Sequence, residues 1–351
     1  MLKSEMQEYN SYFNNQTKII AEVSANHNGS KKEFLKHIIK AHKNGADYVK
    51  IQTYEAEDMC LNKKFTIKSG LWKNTNLFDL YKKAQTPFSW HHDAFRLAKK
   101  NKIKLFSTPF SIRSFRFLKQ FKPPFYKIAS FEITDLNLIE NIAKEYVPIV
   151  LSTGLAKIYE IKKAVNTIKK YHSEIILLYC VSGYPTPSNE IDFNNFEYLR
   201  KETNVKYIGF SDHTKGINVT LKALKYNICL IEKHFIADKK LKSPDSAFSI
   251  DPSELRNLKK KIKNSKKINK HFYYPLNQKK KLTASEKKSL IFRRSIFIIK
   301  NIKKNEKFTS KNIACYRPKV GICASKFNKI IGMRANKNIR SLSSLRFNQI
   351  K

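Results

Sequence analysis

The chain has 351 residues and a formal net charge of +41, from 69 Lys and Arg against 28 Asp and Glu. That length favours one large domain plus a smaller one. No apolar run is long enough for a membrane span, and the polar, mixed-charge stretch Met1–Lys18 does not read as a secretory signal.

Five scattered cysteines (Cys60, Cys180, Cys229, Cys315, Cys323), odd in number and without paired spacing, argue against a disulfide framework or structural zinc. They fit a reducing compartment, so the expected location is the cytoplasm. The basic excess raises nucleic-acid binding as a reading. Against it, lysine greatly outnumbers arginine, and Asn, Ile, Phe and Tyr are abundant, as a bias toward A/T-rich codons would produce. The lysines are spread over predicted helix faces, densest between Lys259 and Lys281, and form no single stripe with aromatics. They read as solvated surface with a field that attracts small anions. Neither nucleic acid nor membrane is the expected partner.

In chain order, residues 1–18 form an N-terminal extension. Strand-like runs then follow at Ile19–Val23, Tyr48–Ile51, Lys104–Phe106, Phe125–Ile128, Ile149–Leu151, Ile175–Tyr179, Tyr207–Phe210 and Cys229–Ile231. Amphipathic stretches alternate with them, among them Lys31–Asn44, Trp90–Asn101, Ser111–Gln120 and Ile158–Tyr171. This rhythm over residues 19–265 predicts an α/β fold, a (β/α)8 TIM barrel. A doubly wound open sheet is the alternative, but no Gly-rich dinucleotide fingerprint follows the first strand. A lysine-rich linker, 266–282, contains Tyr273, Tyr274 and Pro275. Residues 283–351, with the strand-like Ser295–Lys300 and the loop Tyr316–Ile322, read as a separate small domain.

Polar residues recur at the C-terminal ends of nearly all the strands. Glu22 closes the first; Lys50 and Gln52 close the second. Ser107 and Thr108 follow the third, and Lys127, Ser130 and Glu132 the fourth. Ser152 and Thr153 end the fifth, Ser182 follows the sixth, and Ser211, Asp212 and His213 end the seventh. Glu232, Lys233 and His234 end the eighth. In a barrel these ends converge on the face that carries the chemistry. A single Ser after a strand is ordinarily a turn or cap residue, but a series at nearly every strand end predicts a site. Two lysines among hydroxyls suit a substrate with phosphate and carboxylate groups. His213 and His234 stand on neighbouring strands roughly 4.7–4.9 Å apart. They read either as core histidines or as ligands of one divalent ion such as Mn²⁺ or Mg²⁺. The lysines equally admit a Schiff-base aldolase, so the pattern leaves the reaction open.

The segments IIAEVSANHNGS (Ile19–Ser30), ADYVKIQTY (Ala46–Tyr54), FSTPF (Phe106–Phe110), YKIASFEI (Tyr126–Ile133), LSTGLA (Leu151–Ala156), YPTP (Tyr184–Pro187), GFSDHT (Gly209–Thr214) and IEKHF (Ile231–Phe235) resemble the sialic acid synthase family in order and spacing. ASEKK…RRSIF and YRPKVGI resemble that family's C-terminal domain, an antifreeze-like (SAF) domain similar to type III antifreeze protein. The resemblance implies condensation of phosphoenolpyruvate with an open-chain amino-sugar aldehyde, giving a nine-carbon 2-keto acid and phosphate.

By the same resemblance, Glu22 handles protons or positions water, and Lys50 and Lys127 join it as catalytic candidates. Lys50, Thr108, Lys127, Ser130, Ser152, Ser182 and Ser211 would hold phosphoenolpyruvate. Glu132, Tyr184, Asp245 and Arg317 would face the sugar, and His213 and His234 would bind the metal, Mn²⁺ or Mg²⁺. Arg317 would lie over the partner's site in a domain-swapped homodimer. Two departures stand out: Val181 where the family usually has Asn, and Lys319–Val320 where its loop is commonly Gly-rich. SGLWKNTNLFDLYKKAQTPFSWH (Ser69–His91) and SPDSAFS (Ser243–Ser249), with Ser246 and Phe248, resemble the pseudaminic branch. That branch implies a 2,4-diacetamido-2,4,6-trideoxy hexose, for which Trp72 and Phe248 are candidate contacts. N-acetylneuraminate or legionaminate synthesis is the alternative.

Overall fold

The computed structural model describes residues 16–61, 63–265 and 281–351. Eight parallel strands close into a barrel in sequence order. They are β1 (Lys18–Glu22), β2 (Tyr48–Thr53), β3 (Leu105–Pro109), β4 (Tyr126–Ile128), β5 (Ile149–Ser152), β6 (Ile175–Cys180), β7 (Tyr207–Asp212) and β8 (Leu230–His234). Closure is direct: β1 pairs with both β2 and β8, with Glu22 in register with Lys50 on one side and His234 on the other. The alternating strands and helices therefore build the barrel and not an open sheet.

Side chains alternate across each strand, and this sorts the core into two shells. Ile20, Tyr48, Phe106, Val150, Ile176, Leu178 and Leu230 pack together inside the barrel. Their neighbours Ile19, Ala21, Val49, Ile51, Leu105 and Ile231 belong to the outer core, against the helices. Going up each strand by two residues from an inner apolar side chain reaches a polar one: Ile20 to Glu22, Tyr48 to Lys50, Phe106 to Thr108, Val150 to Ser152, Leu230 to Glu232. Gly209 keeps the interior tight, since a Cβ there would lie 2.4 Å from the Leu230 carbonyl oxygen and 2.6 Å from Leu178.

The helices start where side chains can satisfy their free N–H groups. Ser30 accepts from Glu33 N at 3.3 Å and opens Lys31–Lys43. Asp251, with Glu254 in return, boxes the start of Pro252–Asn264. Two helices, Ala56–Met59 and Leu77–Ala84, precede Phe88–Lys100 in the long connection after β2, where the sequence reading named only Trp90–Asn101.

The small domain has an antiparallel pair, β9 (Ser295–Ile298) and β10 (Ile313–Tyr316). Its own core includes Ile296, Phe308, Ile313, Phe327 and Leu345. Of the predicted linker, Tyr273, Tyr274 and Pro275 lie outside the described residues, as does most of the predicted N-terminal extension. No helix of the described residues is long and apolar enough to cross a membrane.

Candidate active site

The strand ends meet in a cavity lined by Lys50, Gln52, Thr108, Lys127, Ser130, Ser152, Ser211, His213, Glu232 and His234, with Tyr184, Asp245 and Arg317 above them. At its floor four charged side chains are buried together. Lys50 Nζ lies 2.6 Å from Glu22 Oε2 and 3.3 Å from Glu232 Oε2. Lys127 Nζ lies 3.4 Å from Glu232 Oε1 and donates to Ser152 Oγ at 2.7 Å. Lys50 also donates to Thr108 Oγ1 at 3.3 Å, and Ser211 Oγ donates to Glu232 Oε1 at 2.8 Å.

Two positive and two negative charges balance, which is what buried charges require. The two carboxyls nevertheless behave differently. Burial pushes Glu22 upward, beyond what Lys50 offsets. Burial acts the same way on Glu232, but Lys127 and Lys50 overcome it and hold that carboxyl well below its usual range. The two carboxyls therefore differ in how readily they hold a proton, Glu22 more and Glu232 less. Burial lowers the Lys127 ammonium. It also works against Lys50, where Glu22 and Glu232 prevail and raise it.

Above this floor the imidazoles of His213 and His234 face each other with ring centroids 5.4 Å apart. His213 Nδ1 lies 3.1 Å from the Val181 carbonyl oxygen. A carbonyl only accepts, so Nδ1 carries a proton, which leaves Nε2 as the nitrogen that could face a metal. His234 Nδ1 is buried without a hydrogen-bond partner, 3.7 Å from Asp245 Oδ2. Burial, His213 and Lys50 all press His234 toward the neutral form. Burial also lowers His213, but Cys180 and the Val181 carbonyl outweigh it and raise that imidazole. The two imidazoles beside a carboxylate would fit a divalent cation, with His213 giving up its extra proton on binding and the other ligands coming from solvent or substrate. No group of three or more His, Cys, Asp and Glu forms a metal cluster among the described residues.

Asp245 is tied down by Ser24 Oγ and by Ala25 N at 3.2 Å. Gln52 Nε2 bridges Ser24 Oγ at 2.8 Å and Glu22 Oε1 at 3.2 Å, linking the cavity floor to its upper rim. Phe248 packs behind His234 at 4.8 Å between ring centroids, while Trp72 reaches the cavity wall. Tyr184 packs on His213 at 4.4 Å.

Arg317 enters from the small domain. Its NH1 donates to Tyr81 Oη at 2.8 Å and its NH2 to Glu132 Oε1 at 2.6 Å, among the rings of Tyr81, Phe110 and Phe131. Its backbone N–H donates to the Met59 carbonyl at 2.8 Å, which fixes the loop to the barrel.

Most of the expected site residues line one cavity. Glu22, Glu132 and Ser182 stand just behind its wall: Glu22 beneath Lys50, Glu132 behind Arg317, Ser182 beside Cys180. The barrel here is crowned by Arg317 of the same chain. Val181 contributes only its carbonyl, with its side chain in the outer core, and Val320 lies on an exposed turn beyond Arg317. Glu232 stood among the polar strand ends but was given no role of its own. The alternation in Ile231–His234 was its signal, since an inward His234 makes Glu232 inward and Lys233 outward. Lys233 indeed pairs with Asp212 at 2.9 Å, fully buried. Tyr54 and Tyr81 line the cavity from the connection after β2; Tyr81 shares the buried helical spacing of Leu77, Phe78 and Ala84, a signal the sequence reading did not use.

The NeuB family model matches residues 37–273. The chain belongs to the NeuB family. A SAF domain model matches residues 293–351, which covers the small domain. Among NeuB-type relatives, the pseudaminic acid synthase of Helicobacter pylori is 39% identical over 341 residues, covering 95% of this chain and 98% of that protein. The N,N'-diacetyllegionaminic acid synthase of Campylobacter jejuni is 35% identical, covering 92% of this chain and 97% of its own length. The crystal structure of the spore coat polysaccharide biosynthesis protein SpsE from Bacillus subtilis superposes with a TM-score of 0.80 at 27% identity, covering 96% and 95% of the two chains. NeuB membership and the antifreeze-like domain agree with the family resemblance in the sequence motifs.

Proposed function

We propose that this chain is a pseudaminic acid synthase, joining phosphoenolpyruvate to 2,4-diacetamido-2,4,6-trideoxy-altrose with release of phosphate. The observation that carries the reading is the Glu22–Lys50–Glu232–Lys127 cluster, ringed by hydroxyls and lying directly under the imidazole pair. Identity of 38–39% to pseudaminic acid synthases over most of the chain supports the choice of branch.

Lys50 and Lys127 neutralise the phosphate and carboxylate of phosphoenolpyruvate, and Thr108, Ser130, Ser152 and Ser211 donate hydrogen bonds to their oxygens, with Ser182 supporting them from behind the wall. Water adds to C2 as C3 forms the new bond to the aldehyde carbon. The C2–O bond to phosphate then breaks, leaving the keto group. Glu22, with its elevated carboxyl, takes one proton from the attacking water. The aldehyde oxygen takes up a proton as it becomes a hydroxyl, and the C2 hydroxyl passes its remaining proton to the departing phosphate as the keto group forms. Tyr184, Asp245 and Arg317 orient the sugar, and Glu132 acts on it through Arg317. A divalent ion, Mn²⁺ or Mg²⁺, held by His213 and His234, would supply Lewis-acid polarisation of the aldehyde oxygen.

The working enzyme is a cytoplasmic homodimer in this proposal. The Arg317 contacts to Tyr81 and Glu132 are of a kind a small domain can make to its own barrel or to a neighbour's.

The bond that breaks tests the chemistry. In ¹⁸O-labelled water, the released phosphate should carry no label, because its bridging oxygen leaves with it. Labelled phosphate would mean attack at phosphorus and would overturn the proposed role of Glu22.

A further inference from the structure

Ser130 and Ser182 crowd against the turn that follows β5, just past Ser152 at the strand's end, and the turn's geometry is unusual. Leu155 sits at φ +60°, a left-handed conformation that a branched side chain rarely adopts and that surrounding contacts must hold. Gly154 N donates to Ser130 Oγ at 3.1 Å. A Cβ on Gly154 would lie 2.1 Å from Ser182 Oγ and 2.7 Å from Ser130 Oγ, so the hydroxyls press against bare backbone.

What holds this turn comes from the start of the small domain. Thr283 caps the helix Ala284–Ser289, and Glu286 closes the capping box by accepting from Thr283 N at 3.2 Å. A box of that kind needs only one carboxylate oxygen and is ordinarily a local device. Here Glu286 is fully buried, and its other oxygen accepts from Leu155 N at 2.7 Å and Ser182 N at 3.4 Å. One carboxylate thus ties the chain after β5 to the chain after β6. The same first turn is seated on the barrel at two more points. Ser285 N donates to Glu190 Oε1 at 3.2 Å, and a Cβ on Gly183 would lie 2.3 Å from Ser285 Oγ.

We infer that Glu286 is a positioning residue: seating the helix Ala284–Ser289 sets the serine wall that receives the anionic substrate. The inference rests on the reading that Ser130 and Ser152 hold phosphoenolpyruvate, with Ser182 packed behind them. Glu286 touches no substrate itself. Without it, two buried backbone N–H groups lose their acceptor, and the left-handed turn at Leu155 loses the contact that keeps it.

The experiment is calorimetric titration of phosphoenolpyruvate into wild type, Glu286→Ala, Glu286→Gln and Gly183→Ala, with KM for the sugar measured alongside. Glu286→Ala should weaken phosphoenolpyruvate binding about tenfold to a hundredfold, the loss expected for buried hydrogen bonds to a charged group. Its sugar KM should stay within about twofold. Glu286→Gln should recover most of the binding, because its amide oxygen still accepts from Leu155. Gly183→Ala pushes Ser285 away from the barrel side and should show the same selective loss, which covers the case where Glu286→Ala fails to fold. Equal binding in wild type and variants, or equal losses toward both substrates, would overturn the inference alone. Failure of wild type to bind phosphoenolpyruvate would overturn the functional reading and this inference with it.

Discussion

His234 shows how much a single position depends on its surroundings. Its Nδ1 is buried with no hydrogen-bond partner, an arrangement that costs free energy unless a ligand completes it. His234→Ala should therefore lose metal-dependent turnover while its circular dichroism stays that of wild type. Chelation of wild type should give the same loss, restored by Mn²⁺ or Mg²⁺. Turnover in His234→Ala equal to wild type would remove the histidine from the metal site. At this scale the sequence was informative wherever a polar residue followed an inner apolar one by two positions, as Lys50 follows Tyr48 and Ser152 follows Val150. It was silent where function came from a neighbour's neighbour. Nothing local to Glu132 shows that its Oε1 is shared by Arg294 at 3.1 Å and Arg317 at 2.6 Å.

The helix Leu136–Ala143 carries a titratable device of its own. Asp135 caps it, accepting from Leu138 N at 3.1 Å, and burial raises this carboxyl from 3.8 to about 6 despite Arg294. A carboxyl raised on folding favours the folded state below its unfolded pKa, and that advantage fades as pH rises through the folded value. The window is therefore about pH 4 to 6, and two pKa units correspond to about 3 kcal/mol. Asp135→Asn keeps a capping oxygen and removes the titration. Between pH 4 and pH 7, urea unfolding should show wild type losing roughly 2–3 kcal/mol relative to the variant. Parallel pH slopes would mean that Asp135 ionises as freely in the folded protein as in the unfolded one. Other helices were legible because periodicity is local: the predicted stretches beginning at Lys31, Trp90, Ser111 and Ile158 all fall on helices, Lys31–Lys43, Phe88–Lys100, Ile112–Leu118 and Ile158–Lys169. The helices Ala56–Met59 and Leu77–Ala84 were harder to see, being short and interrupting a connection instead of alternating with strands.

On the scale of the molecule, the decisive feature is the seating of the small domain over the barrel mouth. Arg294 is buried to 1% exposure and donates to Glu132, to the Cys315 carbonyl at 2.7 Å and to the Phe110 carbonyl. Arg317 follows it into the same wall, between Tyr81 and Glu132. Two arginines sharing one buried carboxylate make the second domain part of the cavity's construction. Arg317→Ala should raise KM for the sugar far more than it weakens phosphoenolpyruvate binding, because the serine and lysine floor is untouched. An unchanged sugar dependence would refute the role given to Arg317. The barrel was readable from eight alternating units, but this docking was not. It joins residues such as Glu132 and Arg317, 185 positions apart, and no periodicity spans that distance; the family motifs led to Arg317 over a partner's site, and here it sits on its own barrel.

The central claim is a condensation selective for one sugar. Phosphate release from phosphoenolpyruvate in the presence of Mn²⁺ tests it most directly, with three aldehydes compared: 2,4-diacetamido-2,4,6-trideoxy-altrose, the legionaminic precursor and N-acetylmannosamine. The proposed chemistry and branch predict rapid release with the trideoxy-altrose and little with the other two. Preference for either of the others would keep the reaction and overturn the substrate, and no release with any of them from folded, metal-loaded protein would contradict the proposed function.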